Sequence, residues 1–495
     1  ARVDALVEAK AKASGVAVAP PADDAEFLRR VYLDFAGTIP SVATTKAFLA
    51  DTSPDKRTKL VEQLLNGPGY APRMADLFHV ALMERLGDNP EWTKYLRDSF
   101  AANKPFDAMA REMLRADPKG PSGAAFFVAK RLENYGQNPV DHSALTRDVG
   151  RLFLGKNFQC CECHDHLFVD DYKQRDFQGL HAFFKNTFLA NAAKMHVAEK
   201  PTTEKTAFAS VFTKVAMTTA PALPGMAMLD IPAFAKGMEF REPPDRKTNN
   251  PGVPKFSTLA AVSEKLPTPT NRDFARNIVN RLWFALMGRG LVHPLDLHHT
   301  RNSGLHPELL DLLATEFVGH KYDIKWLLGE LARTKTYQRA SLVPDGKTAN
   351  DPAYFAVALE KRLSAEQLLA ATLEATGEKP TDALKAKFLK TFANQPREPE
   401  DEVTPSLKAA LFVSHDDAIL GLLKPKPGNL ADRLAERPDD AVADELYLSV
   451  LSRMPTADEV ATVSRVVKKN PNARPDAVAR LAWALLASVE FGVNH

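Results

Sequence analysis

Cysteine is scarce in this chain, and neither sign of charge is in excess. Only 3 of the 495 residues are cysteine, which excludes a disulfide scaffold. A chain of this length can bury a sizeable core without one. The 64 Lys and Arg residues nearly balance the 62 Asp and Glu residues, so the chain has no basic field and nucleic acid is not indicated as a partner.

Long hydrophobic runs and the common catalytic motifs are also missing. The longest mostly apolar stretch near the end, 481–493, is too short to cross a bilayer and contains Glu490. We therefore expect no transmembrane segment in this chain. The sequence has no Gly-rich phosphate loop, Ser nucleophile elbow or His-Glu-x-x-His helix, so it predicts no catalytic residue and leaves open whether the protein is an enzyme. It starts at Ala1 without a charged and then apolar leader, and we expect a processed or engineered terminus.

Helical periodicity is what the sequence has in abundance. Apolar residues recur at spacings of three and four, and Ser364 with Gln367 three residues later is typical of a capping box. The pattern predicts helices over 24–37, 53–67, 72–86, 91–102, 105–116, 140–154, 174–186, 273–287, 306–319, 323–335, 364–376, 405–423, 439–452, 456–469 and 474–491.

A proline-rich stretch interrupts the helices. Nine prolines lie between Pro221 and Pro269, and each fixes φ and removes a hydrogen-bond donor. Just before them, residues 206–219 alternate loosely between apolar and polar and predict a short strand pair. We therefore predict a mainly α fold with two helical domains, 1–189 and 269–495, joined by an irregular, Pro-rich and partly β segment over 190–268.

All three cysteines lie within four residues, at Cys160, Cys161 and Cys163. Cys160, Cys163 and His164 form Cys-x-x-Cys-His, the spacing by which c-type haem is attached. In that chemistry the two thiols become thioethers to the haem vinyl groups, and the adjacent imidazole binds the iron. The motif predicts one covalent haem held by Cys160 and Cys163, with His164 as an iron ligand.

Other uses of the cysteine cluster stay open. A site for zinc or another metal ion could use Cys160, Cys163, His164 and His166, or Cys161 in place of His164, although adjacent residues rarely ligate one tetrahedral ion. Cys160 and Cys163 could form a dithiol redox pair, but the surrounding sequence lacks the βαβ pattern of thioredoxin-like folds. The cluster could also be purely structural, because a buried cysteine behaves as a small hydrophobe.

A bound haem also needs an apolar environment and, in many cytochromes, a second axial ligand. Seven phenylalanines near the motif are either haem walls or ordinary core residues: Phe153, Phe158, Phe168, Phe177, Phe183, Phe184 and Phe188. Candidates for the second axial ligand are Met195, His196, Met217, Met226 and Met228. Asp165 and Asp176 are candidates for orienting an imidazole.

Two further groups of polar residues are candidate binding groups. Arg276, Asn280, Arg281 and Trp283 lie on one predicted helix. Arg281 and Arg289 are candidate partners of an anionic substrate or of haem propionates, although a surface ion pair is the usual place of an arginine. The His298-His299 and His415-Asp416-Asp417 segments are expected in exposed loops, because no partner spacing supports a metal site.

Several segments resemble a family abundant in planctomycetes, whose members pair an N-terminal cytochrome-associated domain of unknown function with a characteristic C-terminal partner domain. The resemblance is carried by positions within 27–40, 53–57, 160–168 and 176–184, and by 277–283, 288–290, 306–310 and 362–369. The chain departs from the family pattern at Cys161, where small residues are usual, and at Leu167, where proline is common.

The resemblance implies export to the periplasm or the cell surface, where haem is attached to thiols. Motif and resemblance together predict an exported c-type cytochrome-like protein for electron transfer or coupled oxidation, with redox or assembly proteins as partners. The alternative is a non-haem structural or interaction protein whose cysteine cluster binds zinc or another metal, or only packs.

Overall fold

A computed structural model describes residues 1–133, 140–342, 351–398 and 407–494. The chain is mainly α, as predicted. The helices are α1 (Arg2–Ala13), α2 (Asp24–Phe35), α3 (Val42–Ala50), α4 (Lys56–Leu65), α5 (Tyr70–Met83), α6 (Pro90–Ala101), α7 (Phe106–Arg115), α8 (Phe126–Arg131), α9 (His142–Leu154), α10 (Gln174–Phe184), α11 (Thr258–Lys265), α12 (Arg272–Met287), α13 (Pro307–Gly319), α14 (Ile324–Ala332), α15 (Ala365–Thr376), α16 (Asp382–Phe392), α17 (Leu407–His415), α18 (Asp417–Leu422), α19 (Leu430–Glu436), α20 (Val442–Val450), α21 (Ala457–Lys469), α22 (Arg474–Leu486) and α23 (Val489–Gly492). Short 3-10 helices cover Gln159–Glu162, Pro352–Tyr354 and Pro471–Ala473. Within these described ranges, no helix combines the length and the hydropathy needed to cross a membrane.

The strands of the described residues form small antiparallel pairs. These pairs are β1 (Thr187–Asn191) with β2 (His196–Glu199), β3 (Thr206–Ala209) with β4 (Ala216–Thr219), β5 (Phe240–Glu242) with β6 (Val253–Pro254), and β7 (Lys361–Arg362) with β8 (Val493–Asn494). The strand pair predicted over 206–219 is confirmed, because Thr206 lies opposite Thr219 and Phe208 opposite Met217. The partly β character of the segment between the helical regions is likewise confirmed.

Capping side chains decide where several helices begin. The predicted capping box is present at α15: the Ser364 hydroxyl accepts the Gln367 N–H, and the Gln367 side chain accepts the Ser364 N–H. The prediction of one helix over 405–423 is wrong, since α17 ends at His415 and α18 begins at Asp417. The Asp416 carboxylate accepts the Ala418 N–H and thereby starts a new helix.

The described residues form two compact units, and each joins segments that are distant in sequence. Unit 1 comprises Ala1–Leu77, Leu286–Gly288 and Gly329–His495, and unit 2 comprises Phe78–Ala285 and Arg289–Leu328. The domain boundaries proposed at 189 and 268 from the sequence stay a prediction.

Unit 1 has an apolar core with a buried polar cluster. The core includes Ala371, Leu434, Leu446, Val450 and Val478. The carboxylate of Asp34 on α2 is 3% exposed and accepts hydrogen bonds from Lys361 Nζ at 2.6 Å, Asn494 Nδ2 at 2.8 Å and the Tyr337 hydroxyl at 2.8 Å. This carboxylate joins α2 to the β7–β8 pair near the end of the chain.

Unit 2 contains a network of buried ions. The Arg151 guanidinium on α9 donates to both carboxylate oxygens of Glu84 at 2.5 Å, and to Asp148 and Asp296 at 3.2 Å. Asp148 also accepts from Arg131 at 2.7 Å. Because buried charges are costly unless they are paired, this network constrains how α5, α8 and α9 pack.

Candidate functional site

The cysteine cluster forms one tight turn of unit 2. The 3-10 helix Gln159–Glu162 carries Cys160 and Cys161, and Cys163 follows it directly. The Cys160 carbonyl accepts the N–H groups of Cys163 and His164, both at 3.4 Å. Since residues i and i+3 eclipse in a 3-10 turn, Cys160 and Cys163 share a face and His164 follows directly. The turn thus brings together the three residues of the predicted haem motif.

The turn separates the three thiols by exposure. Cys160 and Cys163 are exposed free thiols, whereas Cys161 is 0% exposed. Burial raises the pKa of the Cys161 thiol to about 12. Because the thiolate is the reactive form, Cys161 is neither accessible nor charged at neutral pH. The extra cysteine that departs from the family pattern therefore packs as a core residue.

This separation predicts the result of a thiol titration. With an aromatic disulfide reagent at pH 8, we expect two thiols per chain to react rapidly in the native protein without haem. The third should react only after unfolding in guanidinium, and peptide mapping should identify it as Cys161. The Cys161→Ala variant is the matched control, because it should keep both rapid thiols and lose only the slow one. Rapid labelling of Cys161 in the native protein would contradict the arrangement.

The His164 imidazole is fixed by its own neighbour in the chain. Its Nδ1 lies 2.6 Å from the Asp165 carbonyl oxygen, and because a carbonyl only accepts, Nδ1 carries the hydrogen. In the neutral ring Nε2 then keeps its lone pair, which is the atom a metal would take. The ring also packs against Phe212, with centroids 4.7 Å apart.

His166 has the opposite tautomer. Its Nδ1 accepts the backbone N–H groups of Phe168 and Val169, both at 3.1 Å, so in the neutral ring the hydrogen is on Nε2. His166 therefore holds a turn and offers no free lone pair. Among the described residues, no group of three or more His, Cys, Asp or Glu side chains is arranged to hold a metal ion. The metal site predicted from Cys160, Cys161, Cys163 and His166 stays a prediction, and the described residues do not form it.

The phenylalanines near the motif are mostly core residues. Five of the seven are at most 1% exposed: Phe153, Phe158, Phe177, Phe183 and Phe184. Phe188 is half-buried in β1, whereas Phe168 is 72% exposed. The burial of these five rings in unit 2 fits the interpretation of the set as ordinary core residues, and a haem wall built from them stays a prediction.

Exposed apolar side chains instead lie on the loop that follows the cysteine turn and at the tip of the β3–β4 hairpin, and we call them the apolar collar. It consists of Leu167, Phe168, Val211, Phe212 and Val215, which are 55–72% exposed. The Val211 N–H donates to the Cys163 carbonyl at 3.0 Å, which joins the tip of the β3–β4 hairpin to the turn. The hairpin tip was not among the predicted parts of the site. Its only local signal is the pair of apolar residues between two short strands.

Helix α10 also contacts the cysteine turn. The Gln174 side chain donates through Nε2 to the carbonyls of Glu162 at 3.3 Å and Ala209 at 3.2 Å. The Gln178 side chain donates to the same Glu162 carbonyl at 3.0 Å, and the Glu162 carboxylate pairs with Arg147. Gln174 and Gln178 therefore both connect the turn to α10, and Gln174 also connects the β3–β4 hairpin to this helix.

The predicted second axial ligands lie on different elements. Met217 is in β4, on the hairpin that contacts the turn, whereas Met195 and His196 lie at the β1–β2 connection. The Met228 sulfur accepts the Ala220 N–H at 3.4 Å. Met226 is in the loop that follows and is 39% exposed.

Asp176, proposed to orient an imidazole, instead accepts the Gly225 N–H at 3.3 Å. Burial raises the pKa of this carboxyl. Asp165 does contact the His164 ring, but through its backbone carbonyl rather than its carboxylate. The sequence therefore identified one of the two aspartates, with a different atom in the contact.

The arginines of α12 serve structural contacts. Arg276 pairs with Asp311, and Arg281 donates to Asn277 Oδ1 at 3.2 Å and to the Arg151 carbonyl at 3.0 Å. These contacts fit the surface-pair interpretation for Arg276. Arg289 is half-buried just after the helix, and Trp283 is fully buried.

The expectation that both His298 and His299 lie in an exposed loop is wrong. His298 is 6% exposed, its Nε2 lies 3.2 Å from Asn280 Nδ2, and burial lowers its pKa to about 3. His299 is half-buried with its ring edge against Tyr172. His415 is exposed at the end of α17. The backbone bond from the His298 N–H to the Gly155 carbonyl, at 2.9 Å, is a long-range contact that local sequence does not signal.

Two family models match separate parts of the chain. Residues 2–188 match the family model PSCyt2, described as a protein of unknown function (DUF1549). Residues 260–409 match the model PSD1, also described as a protein of unknown function (DUF1553). Neither the search of curated proteins nor that of solved structures gave a match. The cysteine turn lies inside the first matched range, and the two matches together support an uncharacterised family whose N-terminal model bears a cytochrome-like name.

Proposed function

We propose that the protein is an exported c-type cytochrome-like protein that carries one covalent haem on the cysteine turn, for electron transfer or coupled oxidation. The observation that supports this most strongly is the pairing of two exposed thiols on one face with an imidazole whose Nε2 lone pair is free. Cys160 and Cys163 would hold the group, and His164 would bind its iron. Bound haem would supply a one-electron ferric/ferrous couple.

The attachment chemistry needs only what the turn provides. If haem is bound, each thiol would add across one vinyl double bond, so that a carbon–sulfur bond would form and the thiol hydrogen would go to the neighbouring vinyl carbon. No oxidant is consumed. The inaccessible Cys161 does not compete for the vinyl groups.

The apolar collar supports the same proposal. Exposed apolar patches on proteins commonly mark a binding site, and the collar contacts the turn at the Cys163 carbonyl and the His164 ring. Phe212 and its neighbours would exclude water from one side of an apolar ring and so influence its potential. Redox or assembly proteins at the periplasmic or cell-surface location implied by the family resemblance would be the electron partners.

Haem attachment is tested by expressing the full chain in a bacterial host that attaches haem to exported proteins. We expect a haem absorbance that survives acid-acetone extraction, one haem per chain, and a matching mass increase on the peptide containing residues 160–163. The double variant Cys160→Ala/Cys163→Ala should lose all covalent haem. Cys161→Ala is the matched control and should keep it, because this thiol does not face the attachment surface.

The opposite result is equally clear. A colourless wild-type protein with three unmodified cysteines would overturn the proposal if the same host loads a reference c-type cytochrome. Stoichiometric zinc in that preparation would then support the metal alternative. A disulfide between Cys160 and Cys163 would support a thiol redox pair. If neither zinc nor a disulfide were found, a packing role for the cluster would remain.

A further inference from the structure

We infer that Asp165 is the positioning residue for His164: its carboxylate holds the peptide group whose carbonyl fixes the imidazole tautomer and increases electron donation from Nε2. The part of this inference that concerns electron donation to iron rests on the proposed function. The part that concerns the His164 tautomer applies to the protein without haem.

The His164 imidazole and the Asp165 carbonyl are neighbours in the chain. The His164 Nδ1 to Asp165 carbonyl distance of 2.6 Å depends on the orientation of a single peptide group. Nothing in a free His-Asp dipeptide fixes that orientation, because both backbone dihedrals are soft. Some contact outside the dipeptide has to hold the Asp165 carbonyl in place.

Two contacts supply it. The His166 N–H, which belongs to the same peptide group, donates to the Tyr172 carbonyl at 2.9 Å, and the Asp165 side chain anchors the residue that carries the carbonyl. The Asp165 Oδ1 accepts the N–H of Gln174 at 2.8 Å, and its Oδ2 lies 3.5 Å from the Lys173 ammonium. Gln174 is the first residue of α10, and Lys173 at the cap position makes no side-chain capping bond. Asp165 therefore caps α10 from nine residues earlier, and the free N–H groups and helix dipole favour its negative charge.

The contact at Nδ1 also has an electronic effect on Nε2. A ligating histidine that donates its other N–H to a carbonyl becomes a more basic ligand. A more basic ligand stabilises the ferric state, which lowers the reduction potential. Loss of the Asp165 carboxylate should loosen the peptide group, which then keeps only its bond to the Tyr172 carbonyl, and so weaken this donation and raise the potential.

The tautomer is measured first, in full-length protein without haem and with ¹⁵N-labelled histidine. We expect His164, assigned with a His164→Gln variant, to carry its hydrogen on Nδ1. In Asp165→Ala the ring should shift toward the Nε2–H tautomer, which predominates in free histidine. Asp165→Asn should behave as wild type, because its side-chain oxygen still accepts the Gln174 N–H. Asp170→Ala is the matched control in the same loop, since Asp170 is 86% exposed.

The midpoint potential is measured next, in the haem-loaded proteins. At a fixed potential, Asp165→Ala should lower the ferric-to-ferrous ratio about tenfold, which corresponds to about 59 mV for one electron. Asp165→Asn and Asp170→Ala should stay near wild type. A merely structural helix cap would lower the melting temperature without moving either readout.

Failure of this inference and failure of the proposed function are distinguishable. A wild-type His164 with its hydrogen on Nε2 overturns the inference without any variant, so a variant that does not fold leaves the test intact. An Asp165→Ala protein that folds with an unchanged tautomer and an unchanged potential also overturns it. A protein that takes up no haem refutes the proposed function, while the tautomer measurement still decides the role of Asp165.

Discussion

The Arg151→Met variant is expected to lower the free energy of unfolding of unit 2 by about 3–5 kcal/mol. The Arg151 guanidinium makes two parallel hydrogen bonds of 2.5 Å to Glu84, which is 6% exposed. Without the cation, Glu84 is left either as an uncompensated buried charge or as a carboxyl that must take up a proton, and both cost free energy. Asp148 and Asp296, at 3.2 Å, lose a partner as well.

Urea denaturation followed by tryptophan fluorescence measures this effect. Three of the four tryptophans, Trp92, Trp283 and Trp326, lie in unit 2, so the signal reports mainly on that unit. Arg272→Met is the control: Arg272 is 73% exposed and lies 3.3 Å from Asp311, and its loss should change stability by less than about 0.5 kcal/mol.

A second variant tests the cause. Arg151→Met combined with Glu84→Leu should recover part of the loss, because an apolar pair of similar volume removes the stranded charge. If Arg151→Met and Arg272→Met were equally mild, the buried network would contribute little to stability. If the double variant lost as much stability as the two single variants added together, the Glu84 carboxylate left without its partner would not be the cause.

The second large effect is expected from Asp34→Asn in unit 1, which should cost about 3 kcal/mol at pH 7. The Asp34 carboxylate is the anion nearest to the Lys361 ammonium, at 2.6 Å. Burial already lowers the pKa of Lys361, and removal of the carboxylate should lower that pKa further. The folded variant must then either bury an unpaired cation or hold a neutral lysine that is protonated when unfolded.

The pH dependence identifies this mechanism. A lysine whose pKa is lowered by folding binds fewer protons folded than unfolded, so its contribution makes stability rise with pH. The deficit of Asp34→Asn should therefore shrink as the pH rises toward about 10, where the unfolded lysine also loses its proton. Asp55→Asn is the control, because Asp55 is 54% exposed and pairs with Lys59 at 3.0 Å. A deficit that stays constant from pH 7 to 10 would exclude Lys361 as the cause.

Local signals account for the helices that could be predicted. The capping box at Ser364 and the apolar stripe of α2 depend on residues within one or two turns, so a single sequence contains them. Helix α1 carries a weaker signal because its buried residues, Asp4, Val7 and Ala11, include a charge and only one large apolar side chain. The grouping of distant segments into two units depends on contacts hundreds of residues apart, for which local sequence has no signal.

The candidate site likewise has some features that local sequence predicts and others that depend on distant contacts. The Cys160, Cys163 and His164 motif could be predicted because its three residues lie within one turn of the chain. The inward direction of Cys161 depends on how the turn packs on unit 2, and the tautomer of His166 depends on two amide groups of the following loop. The hairpin tip reaches the turn from 48 positions away, as the Val211 to Cys163 bond shows, and no periodicity within either segment predicts that contact.

The bond between Asp34 and Asn494 has a consequence for the order in which the protein folds. The two residues are 460 positions apart, so Asp34 is synthesised long before its partners at β7 and β8. All of unit 2 lies between them in the chain and can complete its own contacts first. Early folding of that insert replaces a long flexible tether with a compact body, which reduces the entropy lost when the distant ends meet. We therefore expect unit 1 to close last, at a rate limited by the search of its two ends for each other.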